Sequence, residues 1–494
     1  MIYGLGVLEA HAHMSESRIL THKGYSIRKD AITEAEAKKL VEDLTVTPKV
    51  NQKYITPQAK AELTFKLYKE SASRWYLPRA YGTQAFGPWE RSVVGEGADL
   101  SDHAAAFGGT PYPYQTAIID SFINAGANGL ICVPCGKGKT FMALRVASQL
   151  KKRFLVIVDK EFLMNQWKGE MGALMPGLRV GILQGPRREV GPEYDCTICM
   201  IQSISGKDIP DGLFKDFGFV IFDECHHLGA QHFSKTLQTV QLKYMLGLSA
   251  TPTREDGLTK VFFWFLGEPV YWEKKREPDP TVIVKSVRIE VEDAAYTDIP
   301  VNWRGEPIMA RLLGNVLGCE ARTVEILRWI RLLAAEPARK ILVLSERIGH
   351  LQEIEAGLAG DSLTIAYYIG GMKEAEREGG AATARILLAS YAMASEAMNI
   401  KSLNTVVLAS PRKHVEQSTG RILRTRVAER TVVPIIVDIV DSHSMYLSQW
   451  KKRHSYYKQC AYNVETWPMG ASEPSKVTRT AAAPVQEEAG CLID

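Results

Sequence analysis

Short apolar runs separated by longer amphipathic stretches dominate the chain from Pro111 onward. Leu130 to Val133, Phe154 to Asp159, Thr197 to Gln202, the run entering FGFVIFDECHH, and KYMLGLS each lack a regular polar face. A strand without a wet face belongs in a sheet covered on both sides, and the intervening FMALRVASQLKK and KEFLMNQWKGEM place apolar residues at helical spacing. Strand and helix in turn predict an α/β domain over residues 111–269, built on a parallel sheet flanked by helices. The same style returns in KILVLSE, SLTIAYYIGG, ARILLASY and NTVVLAS, predicting a second such domain over 338–465.

The remaining segments read differently. Residues 270–337 are expected to be a linker: EKKREPDPT is charged and proline-bearing, TVIVKSVRIEV alternates like a strand with one wet face, and CEARTVEILRWIRLLAA is helical. Residues 1–110 are expected to form an N-terminal accessory α+β domain, with a strand within Leu20 to Ile27 and a capping-box pair, Thr33 and Glu36, opening AEAKKLVEDL. In RWYLPRAYG, Arg74, Tyr76, Arg79 and Tyr81 alternate charge with rings. That pattern serves either nucleic-acid contact or an aromatic face packed on the next domain. Near the end, Lys451, Lys452, Arg453 and Lys458 lie among Tyr446, Trp450, Tyr456 and Tyr457, read as a closing helix packed by its aromatics, with nucleic-acid contact as the alternative. Residues 466–494, rich in Ala, Pro, Ser, Thr and charge, are expected to be disordered.

Candidate chemistry gathers in NGLICVPCGKGKT, from Asn128 to Thr140. A strand leads through Pro134, Cys135, Gly136, Lys137 and Gly138 into a helix, so backbone N–H groups and the helix's positive end can surround a polyphosphate. Lys139 can then reach the terminal phosphates, and the Thr140 hydroxyl can hold Mg2+. Val133 departs from the usual loop pattern, standing where its first glycine is expected. About twenty residues earlier, Gln115 sits in the first turn of a predicted helix, and its side-chain amide can pair with the N6/N7 edge of adenine. Asp223 and Glu224 end an apolar run; in a parallel sheet that end faces the ligand crevice, as does the phosphate loop. There Asp223 can hold magnesium through its water shell, and Glu224 can orient and deprotonate the attacking water.

Composition narrows the class. The 494 residues are 46% hydrophobic, enough for ordinary cores in two or three domains, and a formal net charge of +4 confines any nucleic-acid surface to local patches. No apolar run reaches the roughly eighteen residues of a membrane span, and MIYGLGVLEAHAHMSES lacks the basic start and apolar core of a signal peptide, so an intracellular protein is expected. The eight cysteines include two C-x-x-C pairs, Cys132/Cys135 and Cys196/Cys199, but one lies in the phosphate loop and one in a strand, so buried thiols are expected rather than a metal site.

Taken in order, Gln115, PCGKGKT, DECH, SAT and QSTGRILR resemble the motif set of superfamily 2 helicases, over residues 111 to about 460. The resemblance implies two tandem RecA-like domains, ATP and Mg2+ as cofactors, and nucleic acid as partner. It assigns Gln417, Arg421 and Arg424 to the charge of the transferred phosphate, and His226, Ser249 and Thr251 to coupling. The triplet Arg254-Glu255-Asp256 soon after SAT resembles the XPB-like branch, where it is implicated in duplex opening. Backbone contacts are implied for Gln166, Lys168, Gln202, Ser203 and Ser390. YAMASEAMNI resembles the fifth motif, with Ala397 and Asn399 where a glycine and an acidic residue are usual. RWYLPRAYG, YYIGGMK and SEAMNI resemble helicases of large nucleocytoplasmic DNA viruses, the group with the poxvirus transcript-release helicases. A 3′ to 5′ DNA helicase is therefore the expected function. A duplex translocase or an RNA-dependent ATPase is the alternative within this class, and a catalytically weak nucleic-acid-binding scaffold is the alternative outside it.

Overall fold

A computed structural model describes residues 16–49, 61–134, 136–205, 209–210, 212–225, 230–250, 252, 254, 256–273, 278–396, 398, 400, 402–423, 425 and 427–478. It divides into two compact units, Met1–Lys274 and Lys275–Asp494.

The first unit opens with β1 (Arg18–Thr21), β2 (Gly24–Arg28), α1 (Glu34–Asp43), β3 (Lys69–Glu70), β4 (Arg74–Leu77), α2 (Arg79–Phe86) and β5 (Arg91–Ser92). The strands form a five-stranded sheet in the order β3-β4-β2-β1-β5. The predicted single strand over Leu20 to Ile27 is a hairpin turning at His22-Lys23, and Gly24, which opens β2 opposite Thr21, has a φ of 103° that suits glycine. Thr33 and Glu36 form the predicted capping box of α1. Next come α3 (Pro113–Asn124), β6 (Asn128–Cys132), α4 (Lys139–Leu150), β7 (Phe154–Val158), α5 (Glu161–Leu174), β8 (Val180–Gln184), β9 (Arg187–Arg188), β10 (Cys196–Met200), α6 (Ile201–Ser205), β11 (Phe219–Phe222), β12 (Tyr244–Ser249), α7 (Thr259–Leu266) and β13 (Pro269–Trp272). These strands form an eight-stranded sheet, β9-β8-β10-β7-β11-β12-β6-β13, parallel except at β8/β9.

Why the central strands are wholly apolar is visible in β6 and β7. Leu130, Cys132, Leu155 and Ile157 enter one core, while Ile131, Val133, Phe154, Val156 and Val158 enter the core on the opposite face. The first of these cores also contains Tyr25, Leu40, Leu77 and Tyr81. The described part of residues 1–110 thus has its own sheet, and one face of the eight-stranded sheet completes its core. Arg79 fastens the two. Its buried guanidinium donates to Asn128 Oδ1 at 2.9 Å, to the Lys243 carbonyl at 3.0 Å and to the Leu242 carbonyl. Tyr81 is buried against Trp264, and Arg74 donates to Ser26 Oγ and the carbonyls of Glu16 and Ser17. Packing thus decides the role of RWYLPRAYG.

The second unit contains β14 (Ile283–Ile289), α8 (Met309–Leu317), α9 (Glu320–Ala334), β15 (Ile341–Ser345), β16 (Ile365–Tyr368), β17 (Ile386–Ser390), α10 (Tyr391–Glu396), β18 (Thr405–Leu408), α11 (Glu416–Gly420), β19 (Ile435–Asp441), α12 (Ser444–Gln459), β20 (Asn463–Pro468) and β21 (Lys476–Thr478). Its sheet runs β16-β17-β15-β18-β19-β14-β20-β21, parallel except at β20/β21. Both units thus carry the two tandem RecA-like sheets that the motif order implied.

Two expectations are corrected here. The linker over 270–337 is largely structural: β13 lies within its first residues and pairs with β6, while β14 lies between β19 and β20. The alternate polar residue Lys285 is not wet, because its ammonium pairs with Glu465 at 2.8 Å and sits 4.6 Å from the Trp467 ring. The tail expected to be disordered from 466 instead continues β20 and adds β21, and residues 479–494 lie outside the described residues. Charged side chains also lock β19 to helices on both faces: Arg322 of α9 pairs with Asp441, fully buried, and Arg453 of α12 pairs with Asp438 at 2.8 Å.

Arg79→Ala should strip the buried Leu242 carbonyl of the donor Arg79 supplies and leave the Lys243 carbonyl with Asn128 Nδ2 alone. A loss of about 3 kcal/mol is expected. Urea denaturation followed by tryptophan fluorescence checks it; an unchanged midpoint would show that α2 is not fastened through this residue.

Candidate nucleotide site

The phosphate loop leaves β6 with the Val133 N–H bonded to the Ser249 carbonyl at 3.1 Å, in register with the end of β12. Val133 is fully buried in the core under α4, which accounts for its departure from the loop pattern: the strand continues through that position. The reversals fall later, at Gly136 and Gly138, with φ of 90° and 81°. A Cβ on Gly138 would lie 2.5 Å from Gln115 Nε2, so glycine is required there on two counts. Lys139 and Thr140 then open α4, whose first N–H groups face the loop.

Gln115, expected to read the adenine edge, has both ends of its amide engaged by the chain. It is buried, its Nε2 donates to the Lys137 carbonyl at 3.1 Å, and its Oε1 accepts the Tyr112 N–H at 3.0 Å in a capping box. In this structure it braces the loop from the side of α3. Lys137 is engaged from both sides, by Glu273 at 3.6 Å and by the Tyr114 ring.

Opposite the loop, β11 ends at Phe222 and the chain turns. Asp223 N–H bonds to the Ile157 carbonyl, and Glu224 follows in the left-handed region at φ 41°. That turn aims Glu224 Oε1 at Lys139 Nζ, 2.8 Å away, so the loop lysine and the acidic pair 84 residues later do meet. Asp223 is buried; its Oδ2 accepts from Trp167 Nε1 at 2.8 Å and its Oδ1 from the Glu224 N–H at 2.9 Å. Burial, and then the Glu224 charge, push its pKa up to about 6. The sequence gives no sign of the bond from Trp167 to Asp223, since 56 positions, with β8, β9, β10, α6 and β11, separate the two residues.

The other expected residues divide. Arg254 pairs with Asp256, Nε to Oδ1 at 3.0 Å, and Asp256 also accepts the Leu258 N–H, so these two ends of the triplet brace each other. The Lys49 N–H donates to the Asp256 carbonyl, placing N-terminal chain against this turn. Ser203 is a correction: it is buried and its Oγ accepts the Gly185 N–H, so it fixes the turn between β8 and β9 rather than presenting itself as a surface contact. Lys168 is exposed on α5, Gln166 is half-buried, and the exposed Gln202 donates to the Asp159 carbonyl. In the second unit Ser390 ends β17 and Gln417 lies in α11. The helix α11 stops at Gly420, and Arg421 begins a 3₁₀ turn. Cys135, His226, Thr251, Glu255, Ala397, Asn399 and Arg424 lie outside the described residues.

Trp167→Phe keeps an aromatic ring but removes the N–H that favours ionised Asp223. The Asp223 pKa should rise further, moving the acid limb of the nucleotide-hydrolysis profile to higher pH. A pH–rate series checks this; an unmoved limb would show that the indole only packs.

Residues 109–254 match the family model described as "Type III restriction enzyme, res subunit". L396 of Acanthamoeba polyphaga mimivirus, by name an ATP-dependent RNA helicase, is 33% identical over 466 residues, covering 92% of this chain and 88% of that one. QP509L of African swine fever virus (isolate Pig/Kenya/KEN-50/1950), also by name an ATP-dependent RNA helicase, is 29% identical over 67% of this chain and 68% of its own. Helicase D10 of Escherichia phage T5 is 26% identical over 68% of this chain and 73% of its own. Matched along nearly its whole length, this chain belongs to the family of ATP-dependent superfamily 2 helicases carried by large DNA viruses.

Proposed function

We propose that the chain couples Mg2+-dependent ATP hydrolysis to 3′ to 5′ translocation along nucleic acid and strand separation, with DNA as its track, in viral transcription or DNA repair. The observation that carries this reading is the 2.8 Å pair between Lys139 and Glu224 beside buried Asp223. A polyphosphate in the loop competes for the Lys139 ammonium, and the Glu224 carboxylate, released from that pair, becomes available to take a proton from water. Such an exchange makes the base competent only when the loop is filled. The catalytically weak scaffold loses support, because a chain freed from hydrolysis has no need for this strained, left-handed glutamate.

Thr140 and Asp223 would hold the magnesium. Their donor set is oxygen only, and a carboxylate whose ionisation burial opposes is one that a divalent cation would favour. When bound, the ion neutralises phosphate charge. The resemblance assigns Gln417, Arg421 and Arg424 to the same charge from the second unit. Gln115, holding the Lys137 carbonyl, keeps the loop open in shape.

A second reading, RNA as the track, is favoured by the names of the mimivirus and African swine fever virus relatives. ATP hydrolysis and strand displacement measured with DNA and with RNA duplexes carrying 3′ overhangs distinguish the two. Glu224→Gln should lower hydrolysis by roughly a hundredfold or more while nucleotide still binds. Hydrolysis undiminished in that variant would sink the assignment of the base, and displacement of neither duplex would sink strand separation.

Asp223 must be ionised to hold a cation, and with its pKa near 6 it is progressively protonated as pH falls through that value. Hydrolysis should therefore fall toward pH 5.5, and added Mg2+ should recover it, because proton and cation compete. An acid limb that does not move between low and high Mg2+ would contradict this role.

A further inference from the structure

The helix α12 was expected to pack by its aromatics, and Tyr446, Arg453 and Tyr457 do lie buried. Its other stripe does something else. Trp450, His454 and Lys458 recur every four residues and so share one side of the helix. Trp450 donates its Nε1–H to Ser286 Oγ of β14 at 2.9 Å, which fixes this stripe over the sheet. Two residues on from Ser286, and therefore on the same face, Arg288 lays its guanidinium 3.8 Å from the Trp450 ring centroid. The His454 ring stacks on the same indole at 4.9 Å. The register Ser286↔Thr466 and Thr466↔Lys476 brings Lys476 of β21 onto this face as well.

Asp438 and Glu290 act on Arg288 through space, but neither forms an ion pair with it. Asp438 is taken by Arg453 and Tyr457, and Glu465 by Lys285 and Trp467. Among the described residues no hydrogen bond or ion pair engages the side chains of Arg288, Lys458 or Lys476, and Lys458 and Lys476 are exposed. The His454 imidazole is held below its ordinary range by burial and then by Lys458, Arg288 and Lys476, with Asp438 acting in the opposite direction. Packing the indole explains Trp450; it does not explain why an arginine stacked on it has no carboxylate, when Arg322 and Arg453 each have one.

We propose that Arg288, His454, Lys458 and Lys476 form a phosphate-binding patch on the second unit that holds the nucleic-acid backbone outside the helicase motifs. Trp450 already carries Arg288 and His454 on its ring, so the patch reads charge and not bases, and binding there is independent of sequence. It lies at the β14/β20/β21 end of the sheet, four strands from β17, roughly 19 Å at the usual strand spacing. A backbone held there would extend the footprint beyond the strand ends at β15 and β17, adding grip without touching the chemistry. This inference rests on the nucleic-acid reading above.

The test compares the full-length chain with Lys458→Glu/Lys476→Glu and with Arg288→Gln. Binding of fluorescein-labelled DNA and RNA oligonucleotides is followed by anisotropy across a salt series, alongside ATP hydrolysis. Both lysines are exposed, and thermal melting confirms that the variants fold. The double variant should weaken binding roughly tenfold at moderate salt and reduce the slope of log K against log salt by about 1 to 2. Hydrolysis without nucleic acid, and at saturating nucleic acid, should be unchanged while the half-saturating concentration rises. Arg288→Gln should reduce the slope by about 1. Slopes and affinities equal to the wild-type chain in both variants would overturn the patch and leave the motor reading intact. A wild-type chain that binds neither oligonucleotide would overturn both.

Discussion

Two carboxylates side by side in a poorly hydrated turn repel one another, and the ammonium of Lys139 is what reconciles them. Glu224 holds that lysine at 2.8 Å, while Asp223, left to burial and to the charge of its neighbour, is pushed up to about 6. The surrounding features serve this arrangement. Trp167 supplies a hydrogen bond that favours the ionised form of Asp223, the left-handed backbone at Glu224 aims its side chain, and Gln115 braces the loop that delivers Lys139. With Lys139 tied to Glu224 in this way, an anion entering the loop would have to compete for that ammonium.

The two units solve the same packing problem with different means. In the first, an apolar face of the sheet is shared with the N-terminal sheet, and a single buried arginine, Arg79, satisfies main-chain carbonyls of the neighbouring strand and turn. In the second, buried ion pairs connect β19 to its covering helices, Arg322 to Asp441 and Arg453 to Asp438. Breaking one partner of such a pair costs far more than the pair itself contributes, so these contacts fix register and orientation more than they add stability. Beside these two ion pairs, Arg288, Lys458 and Lys476 around Trp450 form none among the described residues.

Much was legible in the sequence because β-strand and motif signals are local. The wholly apolar runs at Leu130 and Phe154, the glycines of the loop, the acidic pair at Asp223 and Glu224 and the capping box at Thr33 each depend on residues adjacent in the chain, and each was found where expected. Val133 looked like a defect in the loop, yet it is a strand residue whose side chain the core requires. Alternation misled at TVIVKSVRIEV: Lys285 reads as solvent-facing until Glu465, 180 residues later, and two tryptophans enclose it.

The sequence by itself determined the two α/β layers, the glycine-bearing loop between β6 and α4 and the family, since periodicity and short motifs record local geometry. Only the tertiary structure decided that the N-terminal segment shares the first sheet's core, that Gln115 and Ser203 face inward, that Trp167 serves Asp223, and that β14 and β21 complete the second sheet. Each of those outcomes depends on a partner distant in the chain. A polar side chain carries no mark of whether its hydrogen bond will be made with water or with such a partner, and burial settles that question only when the chain has folded.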